Sequence, residues 1–484
     1  MEKGKSERFT EFINHIFAGR SEEKKCIYRG LLRSEDWKNL CRSQKHMDIM
    51  TAKAIMQRCG IVSAQCEFIV TKEEYEYLCL RKKIWETYEK WDEEAYCRLK
   101  QDLEHYQKRG VLYRQFLEEM EARWMMRKGA DSDQVEKKLY DALALTNCGS
   151  ENDKFLKVFW HSGEMRLLEL IALCEERKDT GKAAELFCRI LSHLEMQYRN
   201  GFVIAEILPD FYAVYGEFLK RNGLWAEQLE AAERGISYMR MHRSNWNLFC
   251  LLQLAADGWN KKESKAGLGR KDKEHKEAIE KELREWRGDK RQIYEFDILH
   301  NVYCSSEMLR SCRKASRMTQ KAVMGEHCDV SQLSKIEQGK RKPCEKAFSG
   351  IMEAMNSKGN RMFCSLRNIT YDQLVVQRDI LISLTDEQYP AAQWKLHLLE
   401  QTLDMSQDMN QLFIYSTRSF IKVMLGEWKE AMLQGERALQ LAVPRGVELE
   451  EWPLMKWERI ALMVVKLAAE KMNRALYVPN CAGQ

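Results

Sequence analysis

Shifted by 296 positions, this chain falls onto itself. Ile351-Met352 lands on Ile55-Met56, Leu374 on Leu78, Ile380 on Ile84 and Ala391 on Ala95. The same offset sets Leu399-Glu400 on Leu103-Glu104, Gln411 on Gln115 and Ala438-Leu439 on Ala142-Leu143, with no gap from about residue 11 to residue 146. After a seven-residue length change in a loop, Glu458-x-Ile460-Ala461-Leu462 matches Glu169-x-Ile171-Ala172-Leu173. A repeat of this length constrains the fold more than any single motif, because two stretches of like pattern must fold as like units. Composition says which kind. There are only 6 prolines and 25 glycines in 484 residues, and the periodic apolar positions lie among good helix formers. Both halves are therefore expected to be all-α.

Charge is distributed unevenly between the halves. The net charge is +5, from 78 Lys+Arg against 73 Asp+Glu. Residues 307–346 hold ten basic and five acidic side chains, and the rest of the chain balances to zero. One short window thus owns the whole basic excess, which points to a local polyanion site rather than a generally basic surface.

The stretch 307–348 reads EMLRSCRKASRMTQKAVMGEHCDVSQLSKIEQGKRKPCEKAF. Leu309, Cys312 and Ala315 are spaced for one helix face. Thr319 can cap a second helix that buries Ala322 and Val323, and His327-Cys328-Asp329 makes a turn. Asp329 caps a third helix, with Gln332 in the capping-box position and Leu333 and Ile336 facing the core. Gly339 ends that helix and Pro343 prevents its continuation. Phe348, Ile351, Met352 and Met355 supply the face of a fourth. Met324 and Gly325 stand where small and polar helix formers are usual, so the second helix is expected to be weak.

Over about 45 residues this resembles the Cro/CI-type (lambda-repressor-like) helix-turn-helix. The resemblance implies that Gln320 holds a phosphate and that Val330, Ser331, Gln332 and Lys335 read base edges in the major groove. It places Lys340, Arg341 and Lys342 along the DNA backbone, and it pairs Arg313 with Glu337 as a structural ion pair. A charged helical hairpin with the same spacing is the bland alternative.

In the first copy the offset puts Lys24 opposite Gln320, Glu35 opposite Ser331, Asp36 opposite Gln332, Asn39 opposite Lys335 and Ser43 opposite Gly339. Two carboxylates there would oppose a phosphate-lined groove. Phe17 and Cys41 replace Arg313 and Glu337, so both partners became apolar together and no charge is left stranded. The first copy is expected to fold without reading DNA.

The remainder suggests helical hairpins. Gly426-x-Trp428-x-x-Ala431 with Ala438 fits a tetratricopeptide-like pair, in which small residues allow close helix approach. Gly216, Gly223 and Trp225 give a partial match, from which Gln228 and Gly235 depart. Residues 165–258 hold more such helices without a counterpart in the second half. Lys261–Arg291 reads as a Lys-rich linker that becomes a charged helix near Glu274, and its Gly267-x-Gly269 lacks the strand and third glycine of a phosphate loop. The expected domains are a degenerate helix-turn-helix-like module (1–65), helical repeats (66–260), a charged linker and helix (261–305), the DNA-binding helix-turn-helix (306–360) and further repeats (361–484).

Helix-turn-helix plus tetratricopeptide-like repeats resembles the peptide-responsive Rgg/PlcR-type transcriptional regulators of bacteria. That resemblance implies double-stranded DNA as partner, a homodimer, and a short peptide or protein ligand on the repeats. The competing reading is a non-catalytic scaffold whose modules make protein contacts. No H-E-x-x-H, G-x-S-x-G or Walker-type loop is present, so no catalytic residue, cofactor or metal site is expected and the chain is read as a non-enzyme. The 16 cysteines are scattered singly, without a C-x-x-C pair, as small buried hydrophobes of a reducing compartment would be. MEKGKSERFTEF lacks the apolar core of a signal peptide, and no run of 18 uncharged apolar residues occurs. A cytoplasmic protein without a membrane partner is the expectation.

Overall fold

The computed structural model describes residues 27–41, 47–59, 68–146, 159–197, 201–241, 247–286, 301–324, 329–357, 366 and 370–472. Among these the chain is all-α apart from one pair of three-residue strands. It divides into two compact units, one of Met1–Ser63 and Tyr77–Leu299, the other of Ala64–Glu76 and His300–Gln484.

The first unit contains α1 (Ser34–Cys41), α2 (Ile49–Arg58), most of α3 (Lys72–Lys90), α4 (Glu93–Glu104), α5 (Val111–Arg127), α6 (Ser132–Ala144) and α7 (Ser162–Glu176). Further helices follow: α8 (Thr180–Gln197), α9 (Gly201–Arg221), α10 (Trp225–Met241), α11 (Leu248–Ala266) and α12 (Arg270–Glu285). From α5 onward, successive helices pack on one another. They share one core that includes Trp160, Phe187, Phe211 and Phe218. The expected linker at 261–273 is instead helical. α11 runs to Ala266, only Gly267–Gly269 break the helix, and α12 starts at Arg270 and packs on α11 with Ile279 buried. Lysines did not mean solvated coil here: Lys262 reaches Asp272 at 2.8 Å and Lys276 reaches Glu263 at 2.5 Å across the turn.

In the second unit, β1 (Phe68–Val70) pairs in parallel with β2 (Val302–Cys304), Phe68 opposite Val302 and Val70 opposite Cys304. β2 leads directly into α13 (Ser305–Ala315), followed by α14 (Gln320–Val323), α15 (Val330–Glu337) and α16 (Glu345–Ala354). The hairpins are built from α17 (Tyr371–Thr385), α18 (Tyr389–Thr402), α19 (Asp408–Met424), α20 (Trp428–Ala442) and α21 (Lys456–Lys471). One core is continuous from Leu309, Leu333 and Phe348 to Phe413, Ala438 and Trp457, so the small module and its hairpins are packed as one body. Gly435 lets α20 lie against α21. A Cβ there would stand 2.6 Å from Val465 Cγ2 and 3.2 Å from the Ala461 carbonyl oxygen.

The internal duplication is visible in element boundaries. α1 and α15, and α2 and α16, begin and end at residues 296 apart, and Trp37 and Leu333 are buried at matching positions. Trp91 and Glu387, in the turns before α4 and α18, share the left-handed conformation with φ 60° and 57°. The spacing is not constant, however. α5 and α19 match one residue later, Val111 opposite Asp408, and burial follows that register: Phe116 with Phe413, Leu117 with Ile414. Gln115 therefore corresponds to Leu412 and not to Gln411, which is only half-buried. The match of Glu458 with Glu169 also fails. Glu458 accepts the Met455 N–H at 2.8 Å, and the equivalent box is Glu164 accepting the His161 N–H at 3.0 Å. The Glu-x-Ile-Ala-Leu pattern marks a helix face and repeats along a helix, whereas the cap fixes where the helix starts.

Candidate nucleic-acid interface

α13 forms because Met308, Leu309, Cys312 and Ala315 repeat at helical spacing and all are buried. Arg317 then turns the chain with φ 53°. The Thr319 hydroxyl accepts the Ala322 N–H at 3.2 Å and starts α14, which lasts only four residues. Val323 is buried, but Ala322 is exposed, against expectation. With a single turn, α14 has one inward position to fill. Asp329 caps α15 by accepting the Gln332 N–H at 2.7 Å. Leu333 and Ile336 are buried, each contributing about 1.5–3 kcal/mol by removal from water. Gly339, at φ +74°, closes the helix. His327-Cys328 lies outside the described residues.

The ion pair read from sequence is present. Arg313 Nε donates to Glu337 Oε1 at 2.6 Å and Nη2 to Oε2 at 2.8 Å, a two-pronged geometry that suits a planar guanidinium. Arg313 Nη1 also donates to the Met318 carbonyl at 2.9 Å, so one side chain ties α13, the turn and α15 together. Burial raises the Glu337 carboxyl, but hydrogen bonds from Arg313 and Gln320 and the guanidinium charge outweigh it, holding the group below its ordinary value. Gln320 also bonds within the module. Its Nε2 donates to Glu337 Oε2 at 2.8 Å, so one of its two amide N–H groups serves the core and the other is what it could offer a phosphate.

At 100° per residue, the outward face of α15 centres on Ser331, Ser334, Lys335 and Gln338, opposite Leu333, Ile336 and Glu337. Ser331 and Lys335 are exposed, and Val330 (38% exposed) and the half-buried Gln332 flank them. Ser334 and Gln338, which share a hydrogen bond at 3.1 Å, belong to this face and were missed in the sequence. The helical period alone could have found them. Lys340, Arg341 and Lys342 are exposed, and the N–H groups of Lys340 and Arg341 bond back to the Lys335 carbonyl at 2.9 and 3.2 Å. The basic turn is thus folded onto the end of α15. Exposed Arg310, Lys314, Arg317 and Lys321 lie on α13, the turn and α14.

The counterpart α1 presents Ser34, Glu35 and Lys38, and Asp36 is held by Arg33 at 2.9 Å. Carboxylates occupy the place of Ser331 and Gln332, as expected. Phe17, Lys24 and Ser43, and the Cys41 side chain, lie outside the described residues.

A second polar cluster fills the centre of the first unit. Arg58 Nη2 meets Glu164 Oε1 at 2.6 Å, and Glu119 receives Arg166 at 2.9 and 3.0 Å and Arg123 at 3.0 Å, all buried. In the second unit the matching positions are apolar or neutral: Ala354, Ser416, Phe420 and Ile460 replace Arg58, Glu119, Arg123 and Arg166. The cavity beside this cluster, lined by Lys53, Gln57, Arg81 and His161 among others, measures about 20 Å³, space for a water and far below a peptide.

Among the described residues no group of His, Cys, Asp and Glu could hold a metal, and no helix is long and apolar enough to cross a membrane. The cysteines are not uniformly buried. Cys174, Cys304 and Cys312 are, but Cys97, Cys188 and Cys344 are exposed, the last because it caps α16. Compared with known proteins, the chain matches no family model, no curated protein and no solved structure.

Proposed function

We propose that the chain is a sequence-specific DNA-binding transcriptional regulator, cytoplasmic, acting as a homodimer, with its helical repeats serving dimerisation and the sensing of a short peptide or protein. The observation that carries this reading is the arrangement around α15. A helix pinned from behind by Arg313–Glu337 carries Ser331, Ser334, Lys335 and Gln338 outward, and a folded-back turn of three cations follows it. Hydrogen-bonding side chains between cations suit a groove floor flanked by phosphates. One such head per chain contacts few base pairs, so two heads on half-sites about 34 Å apart, or a multiple of that, give a specific site.

The test is selection of bound genomic fragments, then affinity titration at several salt concentrations, with light scattering for assembly. Lys335→Ala and Gln332→Ala should each cost roughly 1–3 kcal/mol on the selected site. Lys340→Ala or Arg341→Ala should weaken all sequences alike and reduce the salt slope by about one. Charge reversal at Glu35 or Asp36 should change little. Absence of salt-dependent DNA affinity sinks the reading and favours the scaffold, and a monomer with and without DNA removes the dimer.

A further inference from the structure

Ala64–Glu76 comes at the end of the first helix-turn-helix-like module in sequence, yet belongs to the second unit. Three contacts build it in. β1 pairs with β2, the strand that runs without a break into α13. Val70, Val302 and Cys304 are each 4% exposed, and Ile69 packs against the core shared by Leu309 and Leu333. Immediately after β1, Thr71 and Glu74 form a reciprocal cap. The Thr71 N–H and Oγ1–H donate to Glu74 Oε2 at 2.8 and 2.7 Å, and the Glu74 N–H donates to Thr71 Oγ1 at 3.2 Å. Lys72 lies inside that cap, so its backbone is fixed on both sides. The third contact is its stem. A Cβ built on Gly339 would stand 2.4 Å from Lys72 Cδ, 2.7 Å from Cβ and 3.0 Å from Cγ. The methylenes of Lys72 therefore lie directly on the backbone of the residue that closes α15.

We propose that Phe68–Lys72 is a working part of the DNA reader. The strand anchors Lys72, and the Lys72 stem is a positioning element that holds the turn Gly339–Lys342 against the end of α15. The degenerate copy thereby contributes to reading through the strap that leaves it. The functional half of this proposal rests on the reading of α15 given above; the bracing half does not. Contact runs through methylenes, and the ammonium is partly exposed and near Glu76 (3.7 Å), which makes the stem the operative part.

The full chain is compared as wild type, Lys72→Met, which keeps an apolar stem without charge, and Lys72→Ala, which removes it. Hydrogen exchange of the DNA-free protein is followed by mass spectrometry over the peptide spanning 336–342. Lys72→Ala should exchange about tenfold faster there and Lys72→Met at the wild-type rate, since loss of packing opens the turn locally. Unchanged exchange over α9–α11 in both variants distinguishes local opening from general unfolding. On the selected DNA, Lys72→Ala should bind more weakly with an unchanged salt slope, and Lys72→Met as wild type. Wild-type exchange in Lys72→Ala overturns the proposal. So does loss of affinity in Lys72→Met with the salt slope smaller by about one, which would make Lys72 a phosphate contact. If no variant binds any DNA while the exchange arm behaves as expected, the DNA reading falls and the brace stands.

Discussion

Glu337→Ala removes the acceptor of three hydrogen bonds, two from Arg313 and one from Gln320. What remains is a guanidinium whose only other described bond is to the Met318 carbonyl. Charge-assisted bonds contribute about 1.5–3 kcal/mol each, and stranding one member of a fully buried pair costs about 3–5 kcal/mol. The pair is not fully sealed: the Arg313 side chain is 15% exposed and the Glu337 side chain 5%. Water can reach part of the stranded guanidinium, so the cost is set at about 2–4 kcal/mol. For a unit of about 200 residues this lowers the melting temperature by roughly 4–16 °C. Arg313→Met/Glu337→Leu strands no charge, leaving only the neutral Gln320 amide and Met318 carbonyl without these partners, and should lie within about 1 kcal/mol of wild type. A double-mutant cycle completed with Arg313→Met and Glu337→Leu, read by urea denaturation and calorimetry, gives the coupling. Because Glu337 is held below its ordinary value, its contribution is complete above the unfolded carboxylate range and is lost as pH falls through the lowered folded value. The gap between wild type and Glu337→Ala should therefore narrow only in acid. A coupling under about 0.5 kcal/mol, or a double variant as unstable as Glu337→Ala, would refute the argument.

Glu169 behaves in the opposite sense: burial first, then Asp210, pushes its carboxyl well above the ordinary range. An acid raised on folding costs stability as pH rises above its unfolded value, so Glu169→Gln should raise the melting temperature more at pH 8 than at pH 5; equal shifts would contradict this. Gly435→Ala drives a methyl into Val465 and should cost about 1–3 kcal/mol by chemical denaturation, with the helix content by circular dichroism unchanged.

How far the sequence spoke depended on the range of the interaction. α15 was legible to its ends because Asp329 and Gly339 are local punctuation, and Arg313–Glu337 because two helices of known spacing bring them together. α14 ends at Val323, where Met324 turns extended with ψ 117° although methionine is itself a good helix former. The register slip between α5 and α19 is invisible to an ungapped comparison, since one residue moves a helix face by 100° without changing composition. The outward placement of Ser334 and Gln338 was available from the helical period; the inward turn of Gln320 was not, since it depends on where Glu337 stands. Least legible was the pairing of Phe68–Val70 with Val302–Cys304. Three apolar residues carry no alternation, and nothing local ties them to a partner in the other half of the sequence.

That strand pair also sets an order of events. Roughly 230 residues separate β1 from β2, so at about 5–20 residues per second β1 leaves the ribosome some 10–50 seconds before its partner is made. For that interval Phe68-Ile69-Val70 is an unpaired apolar edge, the kind of segment that recruits foreign strands. The helices from α5 to α12 are made during the same interval, and their contacts are between sequence neighbours, which form fast. The reader thus waits on the whole first unit: a nascent chain cannot present α15 in its final setting until that unit has been synthesised and the waiting strand has been claimed.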